Sequence, residues 1–282
     1  MKSTKTARKS IFEILEDKYD FRQEFKKITY LFKSNIVHFG GYGYQIEWFV
    51  DKFFSDWEAR GSCINCADMR KELGIDAIIK LEDPSLEDII LCLEYYVNIV
   101  FFFIKKCCRN QDKLDVNKDL LILNKNINIL VEHLNLTKHV IAKEEKVILL
   151  PNNPAATAVS ETAPTEIAFA VLKYNHASLK GQTEEKRKLL QSIANEYEDL
   201  LDNPTNGFGE YFKTTRGLLN NLNIRHNNKS GKNKNDLVQK MSKEELEKQY
   251  DELYRLLLFC ILTKENVERK KAADELLKQI KC

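Results

Sequence analysis

The sequence predicts a mainly α-helical protein: a helical bundle with one small β-hairpin near the middle of the chain. Serine capping boxes recur along the chain, and each is typical of a helix start. Apolar residues recur at spacings of three and four, as they do on one face of a helix. Strand-like patterning is confined to one place, where two short β-branched runs follow each other.

The N-terminal part predicts several helices. The capping box at 10–13 opens the first helix, and 85–88 carries the aspartate variant of this motif after a proline. Helical patterns also cover 21–37 and 44–60. The apolar run 89–104 predicts a buried core helix, because it is shorter than the ~20 residues that a bilayer core requires and it contains a glutamate.

Glycines surround Tyr42 in the segment 40–43, a pattern that also occurs in phosphate-binding loops. A dinucleotide fingerprint needs a third glycine and a preceding strand, but Ile46 occupies the third position and a helical pattern precedes the segment. We therefore expect a glycine turn between two helices. The chain contains no P-loop, HExxH or GxSxG motif, so the enzyme classes built on these motifs have no support.

A β-hairpin is predicted from 139–142 and 146–150, two β-branched runs separated by charged residues. The next segment, 151–164, holds three of the five prolines and predicts a boundary instead of a long helix. We thus expect an N-terminal helical region at 1–150 that ends in the hairpin. A C-terminal helical domain follows at 165–282.

Two further helical patterns lie in the C-terminal part. The segment 189–201 predicts one amphipathic helix, whose apolar positions are Leu190, Ala194, Tyr197 and Leu201. The segment 242–280 opens with a capping box at 242–245 and is predicted to break into two helices near Thr263, where a new polar N-cap occurs. Its apolar stripe consists of Leu246, Tyr250, Leu253, Leu257 and Ile261.

Composition and charge exclude several classes of protein. The chain has 43% hydrophobic and 30% charged residues, which excludes collagen-like and disordered proteins. Its 44 Lys and Arg against 42 Asp and Glu give a net charge of +2, so affinity for nucleic acid must come from a local patch. Neither an export signal nor a membrane span is evident, and we expect a cytoplasmic protein without membrane contact.

The seven cysteines are an odd number in a long chain, which is typical of reduced thiols in the cytosol. Cys63 and Cys66 have the spacing of a metal-binding pair. A tetrahedral zinc site needs two more ligands, however, and no second pair follows. We therefore expect Cys66 to face the core, and we expect neither a metal site nor a cofactor.

The segment 220–228 is the candidate functional site. His226 lies among polar groups at a predicted helix end and directly follows Arg225. Arg offers a fixed cation for a phosphate, and His titrates near neutrality, so the pair suits metal-free cleavage of RNA. From 225 to 240, five Lys or Arg side chains against one Asp give a local charge of +4. The alternative is a surface loop in which Arg225 caps helix carbonyls.

Three segments of the C-terminal part, 186–198, 220–228 and 247–254, read KRKLLQSIANEYE, NNLNIRHNN and EKQYDELY. Together they resemble the HEPN-like helical domains of prokaryotic abortive-infection and antiviral defence proteins. The resemblance covers 165–265. It implies an all-α bundle, dimerisation, and metal-independent endoribonuclease activity at a site shared across the dimer.

The Arg–His pair departs from the pattern of this family. Active members carry Arg and His about four to six residues apart on one helix face, whereas Arg225 and His226 are adjacent. Neighbours on a helix point about 100° apart. Either an irregular helix end brings the two groups together, or the chain is a non-catalytic relative that binds without cutting.

Three hypotheses follow. In the first, a defence ribonuclease uses Arg225 to hold the scissile phosphate and His226 as general base or acid. In the second, a non-catalytic subunit or scaffold binds a protein partner or nucleic acid in a defence complex. In the third, a regulatory protein senses a nucleotide through the same segment. The expected partners are RNA and either a second copy of the chain or another defence protein. In the first hypothesis, Asn223, Asn227 and Asn228 orient Arg225 and His226 or contact RNA. The candidate RNA-binding residues are Asn223, Asn227, Asn228, Lys229, Lys232 and Lys234.

Overall fold

The computed structural model describes residues 20–39, 41–107, 114–115, 118–141, 145–202, 208–226, 228–229, 232 and 235–281. The chain forms two compact units. The first comprises the chain up to Asn135 together with Val140–Val147, and the second comprises Leu136–His139 and the chain from Ile148 onward. Both units are mainly helical, so the predicted fold class is confirmed. The capping box predicted at 10–13 lies outside the described residues.

The first unit consists of helices and one small sheet. Two 3-10 turns, Phe54–Asp56 and Glu58–Arg60, follow its second helix, and a π-helical turn, Phe103–Cys107, follows its longest one. In chain order the elements are α1 (Phe21–Lys33), β1 (Val37–Phe39), β2 (Tyr42–Tyr44), α2 (Ile46–Lys52), α3 (Cys66–Glu72), α4 (Ile75–Ile78), α5 (Leu86–Phe102), β3 (Leu114–Asp115) and α6 (Lys118–His133).

Helix α5 is the buried core helix that the sequence predicted. Its start carries the complete capping box: the Asp88 N–H donates to Ser85 Oγ at 3.1 Å, and the Ser85 N–H donates to Asp88 Oδ2 at 3.0 Å. Apolar side chains along its length, including Ile89, Leu93 and Phe102, are fully buried. In the parts of the chain that the structure describes, no helix is both long and apolar enough to cross a membrane.

A three-stranded antiparallel sheet, ordered β2-β1-β3, replaces the expected glycine turn between two helices. Gly41 has a positive φ of 87°, which allows the chain to reverse tightly between β1 and β2. Helix α1 ends at Lys33, before the predicted end at Val37. Ser34 already has extended backbone there, and its hydroxyl donates to the Tyr30 carbonyl at 2.8 Å.

The helix predicted over 44–60 is also interrupted. Helix α2 ends at Lys52, because the backbone of Phe53 leaves the helical region. Beyond it, buried Trp57 donates its indole N–H to the Glu145 carbonyl at 3.0 Å. This tertiary contact, which lies within the first unit, fixes the side chain between the two 3-10 turns.

Cys66 faces the core, as predicted, at the first position of α3. Its N–H donates to Asp51 Oδ1 at 2.7 Å, and Asn65 caps the helix by accepting the Asp68 N–H. Burial raises the pKa of the Cys66 thiol, which disfavours the thiolate that zinc would require. Cys63 is also buried. Across the described residues, no three His, Cys, Asp or Glu side chains form a group that could hold a metal ion.

The predicted hairpin is confirmed as a two-stranded sheet of β4 (Leu136–Ile141) and β5 (Lys146–Pro151). Its first strand begins earlier than the sequence indicated. Thr137 donates its hydroxyl to the Leu150 carbonyl at 3.3 Å, across the two strands. The division between the two units falls within this hairpin and not in the following segment 151–164, where we expected it.

The segment expected to be a boundary instead contains helix α7 of the second unit. Pro154 occupies its first turn, where the missing N–H has no cost, and Asn153 Oδ1 accepts the Ala156 N–H at 3.1 Å. Ala156 and Val159 are buried in the core of that unit. The helices of the second unit are α7 (Pro154–Thr162), α8 (Thr165–Lys173), α9 (Thr183–Glu196), α10 (Glu198–Asp202), α11 (Gly209–Asn221), α12 (Asp236–Lys240) and α13 (Lys243–Lys281).

Two helix boundaries in the second unit correct the sequence prediction. The helix predicted over 189–201 is broken at Tyr197 into α9 and α10. The break predicted near Thr263 is wrong, since α13 runs through it without interruption. The Thr263 hydroxyl donates to the Phe259 carbonyl at 2.8 Å, one turn back in the same helix, and so does not cap a new one.

Candidate functional site

The candidate segment begins where α11 ends at Asn221. Asn223 has a left-handed φ of 63°, a conformation that asparagine tolerates better than most residues. The Arg225 N–H then donates back to the Leu219 carbonyl at 3.0 Å. Arg225 and His226 therefore lie on an irregular turn beyond the helix, where adjacent side chains are not bound to the 100° offset of a helix.

A pair of reciprocal hydrogen bonds closes this turn, and we call it the asparagine clamp. The Asn223 N–H donates to Asn228 Oδ1 at 2.7 Å, and the Asn228 N–H donates to Asn223 Oδ1 at 3.0 Å. Asn228 is 3% exposed, and its carbonyl accepts the Asn235 N–H at 2.8 Å. Burial raises the pKa of Tyr250 to about 12, although a hydrogen bond with the Asn223 side chain opposes this shift.

Arg225 is largely buried, with a side chain that is 12% exposed. Its Nη1 lies 3.5 Å from Glu198 Oε1, whereas Nε and Nη2 are buried and have no acceptor among the described residues. Buried donors without an acceptor are costly and often mark a functional site. The adjacent His226 is exposed.

Both residues line a single cavity of about 290 Å³ within the second unit. One wall comes from the turn that follows α11, and the other comes from α9. The irregular turn thus brings adjacent Arg and His side chains to the same cavity. The lining residues are Glu184, Arg187, Gln191, Asn223, Ile224, Arg225 and His226.

The α9 wall was missed by the sequence analysis. Arg187 donates from Nε to both carboxylate oxygens of Glu184, at 3.0 and 3.1 Å, and from Nη1 to the Ile224 carbonyl at 3.4 Å. The hydrogen bonds from Arg187 lower the pKa of Glu184, and the charge of Lys229 adds to this effect. The only sequence signal was the spacing of three between Glu184 and Arg187, which is common on exposed helix faces.

The cavity combines groups that suit an anionic ligand. Two guanidinium groups reach it, and each can hold two phosphate oxygens in a planar fork. Arg187 is already paired with Glu184, whereas Arg225 keeps two nitrogens without an acceptor in the described chain. Arg225 is therefore the guanidinium whose hydrogen-bonding capacity the described chain leaves partly unused.

The structure brings together only part of the predicted site. Arg225, His226 and Asn223 line the cavity, whereas Asn228 is buried in the asparagine clamp. Lys229 and Lys232 are exposed and are not among the described residues that line the cavity. Asn227 and Lys234 lie outside the described residues.

The three segments that carry the family resemblance meet in the second unit. Lys186 Nζ lies 2.8 Å from both Glu247 Oε1 and Asp251 Oδ1, which joins α9 to α13. Asn223 lies against Tyr250, which joins the turn after α11 to α13. Much of the sequence pattern that carries the resemblance therefore serves packing between helices. The cavity lies at the edge of these helix contacts.

Comparison with known proteins adds no assignment. No family model matches the chain, and neither a curated protein nor a solved structure matches it. The function is therefore inferred from the chemistry of the cavity and from the resemblance of the three segments.

Proposed function

We propose that the protein is a metal-independent endoribonuclease that acts in prokaryotic antiviral defence, with Arg225 and His226 as its catalytic residues. One observation carries the proposal: Arg225, with two donor nitrogens that lack an acceptor in the described chain, lines the same cavity as exposed His226. The defence role and the independence from metal rest on the resemblance of the three segments alone.

The proposed reaction is an internal transfer of the phosphodiester. The ribose 2′ oxygen forms a bond to phosphorus while the bond from phosphorus to the 5′ oxygen breaks. His226 accepts the 2′ proton as general base, and water supplies a proton to the departing 5′ oxygen. Arg225 stabilises the negative charge that develops on the phosphoryl oxygens. The products are a 2′,3′-cyclic phosphate and a 5′ hydroxyl.

A second candidate function is binding without cleavage, by a helical subunit or scaffold of a defence complex. The ion pair of Arg225 with Glu198 favours it, because a carboxylate competes with a phosphate for the same guanidinium. In addition, no described residue makes a hydrogen bond that would orient the His226 ring, whereas a catalytic histidine is normally oriented by a partner.

The test is incubation of the purified protein with total RNA in the presence of a chelator. Arg225→Ala should abolish cleavage, and Arg225→Lys should also be poor, because a point charge does not reproduce the planar fork. His226→Ala should slow cleavage by about 10² to 10⁴-fold with little loss of RNA binding. Thermal melts must show that each variant is folded.

Matched controls are Arg216→Ala, an exposed arginine of α11 that pairs with Asp202, and His176→Ala, whose ring accepts the Ser178 N–H. Both should cleave like wild type. If wild type binds RNA without cutting it, and Arg225→Ala alone weakens binding, the second candidate function holds. Cleavage that survives both Arg225→Ala and His226→Ala in folded protein would contradict both assignments.

A further inference from the structure

The turn that carries Arg225 and His226 is closed at both ends by the asparagine clamp. The two hydrogen bonds, of 2.7 and 3.0 Å, join Asn223 and Asn228 in both directions. Asn228 is fixed in addition through its carbonyl, which accepts the Asn235 N–H at 2.8 Å. The clamp thus sets the distance between the ends of the turn.

A second contact holds the middle of the same turn against α9. Arg187 Nη1 donates to the Ile224 carbonyl at 3.4 Å, and Arg187 is itself held by Glu184. The peptide carbonyl directly before Arg225 therefore touches the opposite wall of the cavity. The turn is therefore restrained by the side chains of three residues, Asn223, Asn228 and Arg187, and Glu184 holds Arg187 in place.

These restraints matter because the described residues of the turn, 223–226 and 228, belong to no helix or strand. Outside helices and strands, side-chain hydrogen bonds take over the positioning of backbone groups. A catalytic pair must be held within about 0.5 Å of its productive geometry. Loss of the clamp would leave the Arg225 and His226 side chains present but variable in position.

We propose that Asn223 and Asn228 are positioning residues, which act on the reaction by holding Arg225 and His226 at the cavity. This inference rests on the proposed function. It also selects between the two roles expected of Asn228, because a residue that is 3% exposed, with its Oδ1, N–H and carbonyl all bonded within the protein, is built into the turn and does not reach RNA.

Two substitutions open the clamp from opposite sides. Asn223→Gly removes one acceptor oxygen and keeps the freedom to adopt the left-handed φ of 63°. Asn228→Ala removes the other acceptor and leaves the backbone bonds of residue 228 in place. The variant with both substitutions completes a double-mutant cycle. The matched control is Asn266→Ala, which replaces an exposed asparagine of α13.

The first measurement is the kinetics of RNA cleavage in the presence of a chelator. Each single variant should lower kcat by about 10²-fold, with a smaller change in KM, while thermal melts show a folded protein. Each single variant removes one of the two hydrogen bonds of the clamp and the double variant removes both. Because the two bonds hold the same turn, the loss of kcat in the double variant should be smaller than the product of the two single losses. Asn266→Ala should match wild type. Unchanged kcat in folded variants, or effects that multiply in the double variant, would overturn the inference.

The second measurement does not depend on cleavage. In NMR spectra of wild type, addition of inorganic phosphate should shift the ring signals of His226, and Asn228→Ala should abolish this shift while those of His176 stay unchanged. A wild type that shows the phosphate shift without cutting RNA removes the proposed function and the effect of the clamp on a reaction. The holding of Arg225 and His226 at the cavity by the clamp then stands if the variant loses the shift. A variant that keeps the wild-type shift, or a wild type that shows none, overturns the inference.

Discussion

Lys186 shows how strongly the surroundings of one residue can depart from the pattern of its neighbours. It lies in a run of three basic residues on α9, yet its side chain is 8% exposed and its ammonium group contacts Glu247 and Asp251. Tyr174 also donates its hydroxyl to Asp251 Oδ1 at 3.0 Å. Lys188, two positions later on the same helix, is exposed and pairs with nearby Glu185.

We expect Lys186→Met to lower the free energy of unfolding by about 3 kcal/mol, because it leaves the Glu247 carboxylate buried without its cation. The value is at the lower end of the usual range, since Asp251 stays partly exposed to solvent. Urea unfolding measures this effect. The matched variant Lys188→Met should remain close to wild type, and equal losses in the two variants would contradict the assigned burial.

The same network predicts a dependence of stability on pH. Burial alone would raise the pKa of Glu247, but hydrogen bonds from Lys186 and the Gly181 N–H outweigh it and lower that pKa below its ordinary value of 4.5. Glu247 therefore contributes stability above pH 4.5, and this contribution is lost as the pH falls through its lowered pKa in the folded protein.

Glu247→Gln should accordingly reduce the steepness with which the urea midpoint falls between pH 5 and pH 3. The variant should also be less stable than wild type at pH 7, because the Lys186 ammonium loses a charged partner. Glu252→Gln, at a position of α13 paired with exposed Arg255, serves as the control. Parallel curves for wild type and Glu247→Gln would contradict the role of this carboxylate.

At the scale of elements, α13 has two halves with different surroundings. Its first half carries the predicted apolar stripe, which is buried from Leu246 to Ile261. Its second half, from 264 onward, is mostly exposed and includes the apolar side chains of Leu276, Leu277 and Ile280. One continuous helix therefore contributes a packed half and an exposed half.

Leucine substitutions should separate the two halves. Leu257→Ala removes a fully buried side chain and should cost about 2 to 5 kcal/mol of unfolding free energy. Leu276→Ala, at a position that is 55% exposed on the same helix, should have little effect. Chemical denaturation measures both losses of unfolding free energy. If Leu276→Ala costs as much as Leu257→Ala, our assignment of burial is wrong.

Helix starts marked by a capping box in the described chain were predictable, whereas helix ends and breaks were not. The capping boxes at Ser85 and Ser242 both form, because the motif depends on four consecutive residues alone. Thr263 also has the chemistry of a cap, but its hydroxyl is satisfied by a carbonyl of the same helix. The prolines of 151–164 indicated a break in structure, yet Pro154 lies where a helix tolerates proline.

For the whole molecule, the described elements predict a far-ultraviolet circular dichroism spectrum dominated by α-helix. Helices account for most of both units, and the two sheets contribute short strands only. The spectrum of the purified protein should show the double minimum of helix. A spectrum in which strand exceeds helix would contradict the fold class that both the sequence and the structure give.

The sequence by itself determined the helical class, the central hairpin, the burial of α5 and the apolar stripe of α13. Each of these follows from side-chain spacing within one element, and such spacing can be read along the chain. It also indicated Arg225 and His226 as candidate site residues, because the polar segment 220–228 differs from the apolar pattern of the helix before it.

Only the tertiary structure decided which groups share the cavity and which are buried. Arg187 and Glu184 line the same cavity as Arg225 and His226, although they come from a helix that lies far away in sequence. Lys186 and Asn228, which are polar residues typical of a surface, are buried and have structural roles. The sheet β2-β1-β3 likewise depends on pairing between distant segments. The physical reason is that burial and pairing are properties of contacts between elements, which the spacing of residues within one element does not contain.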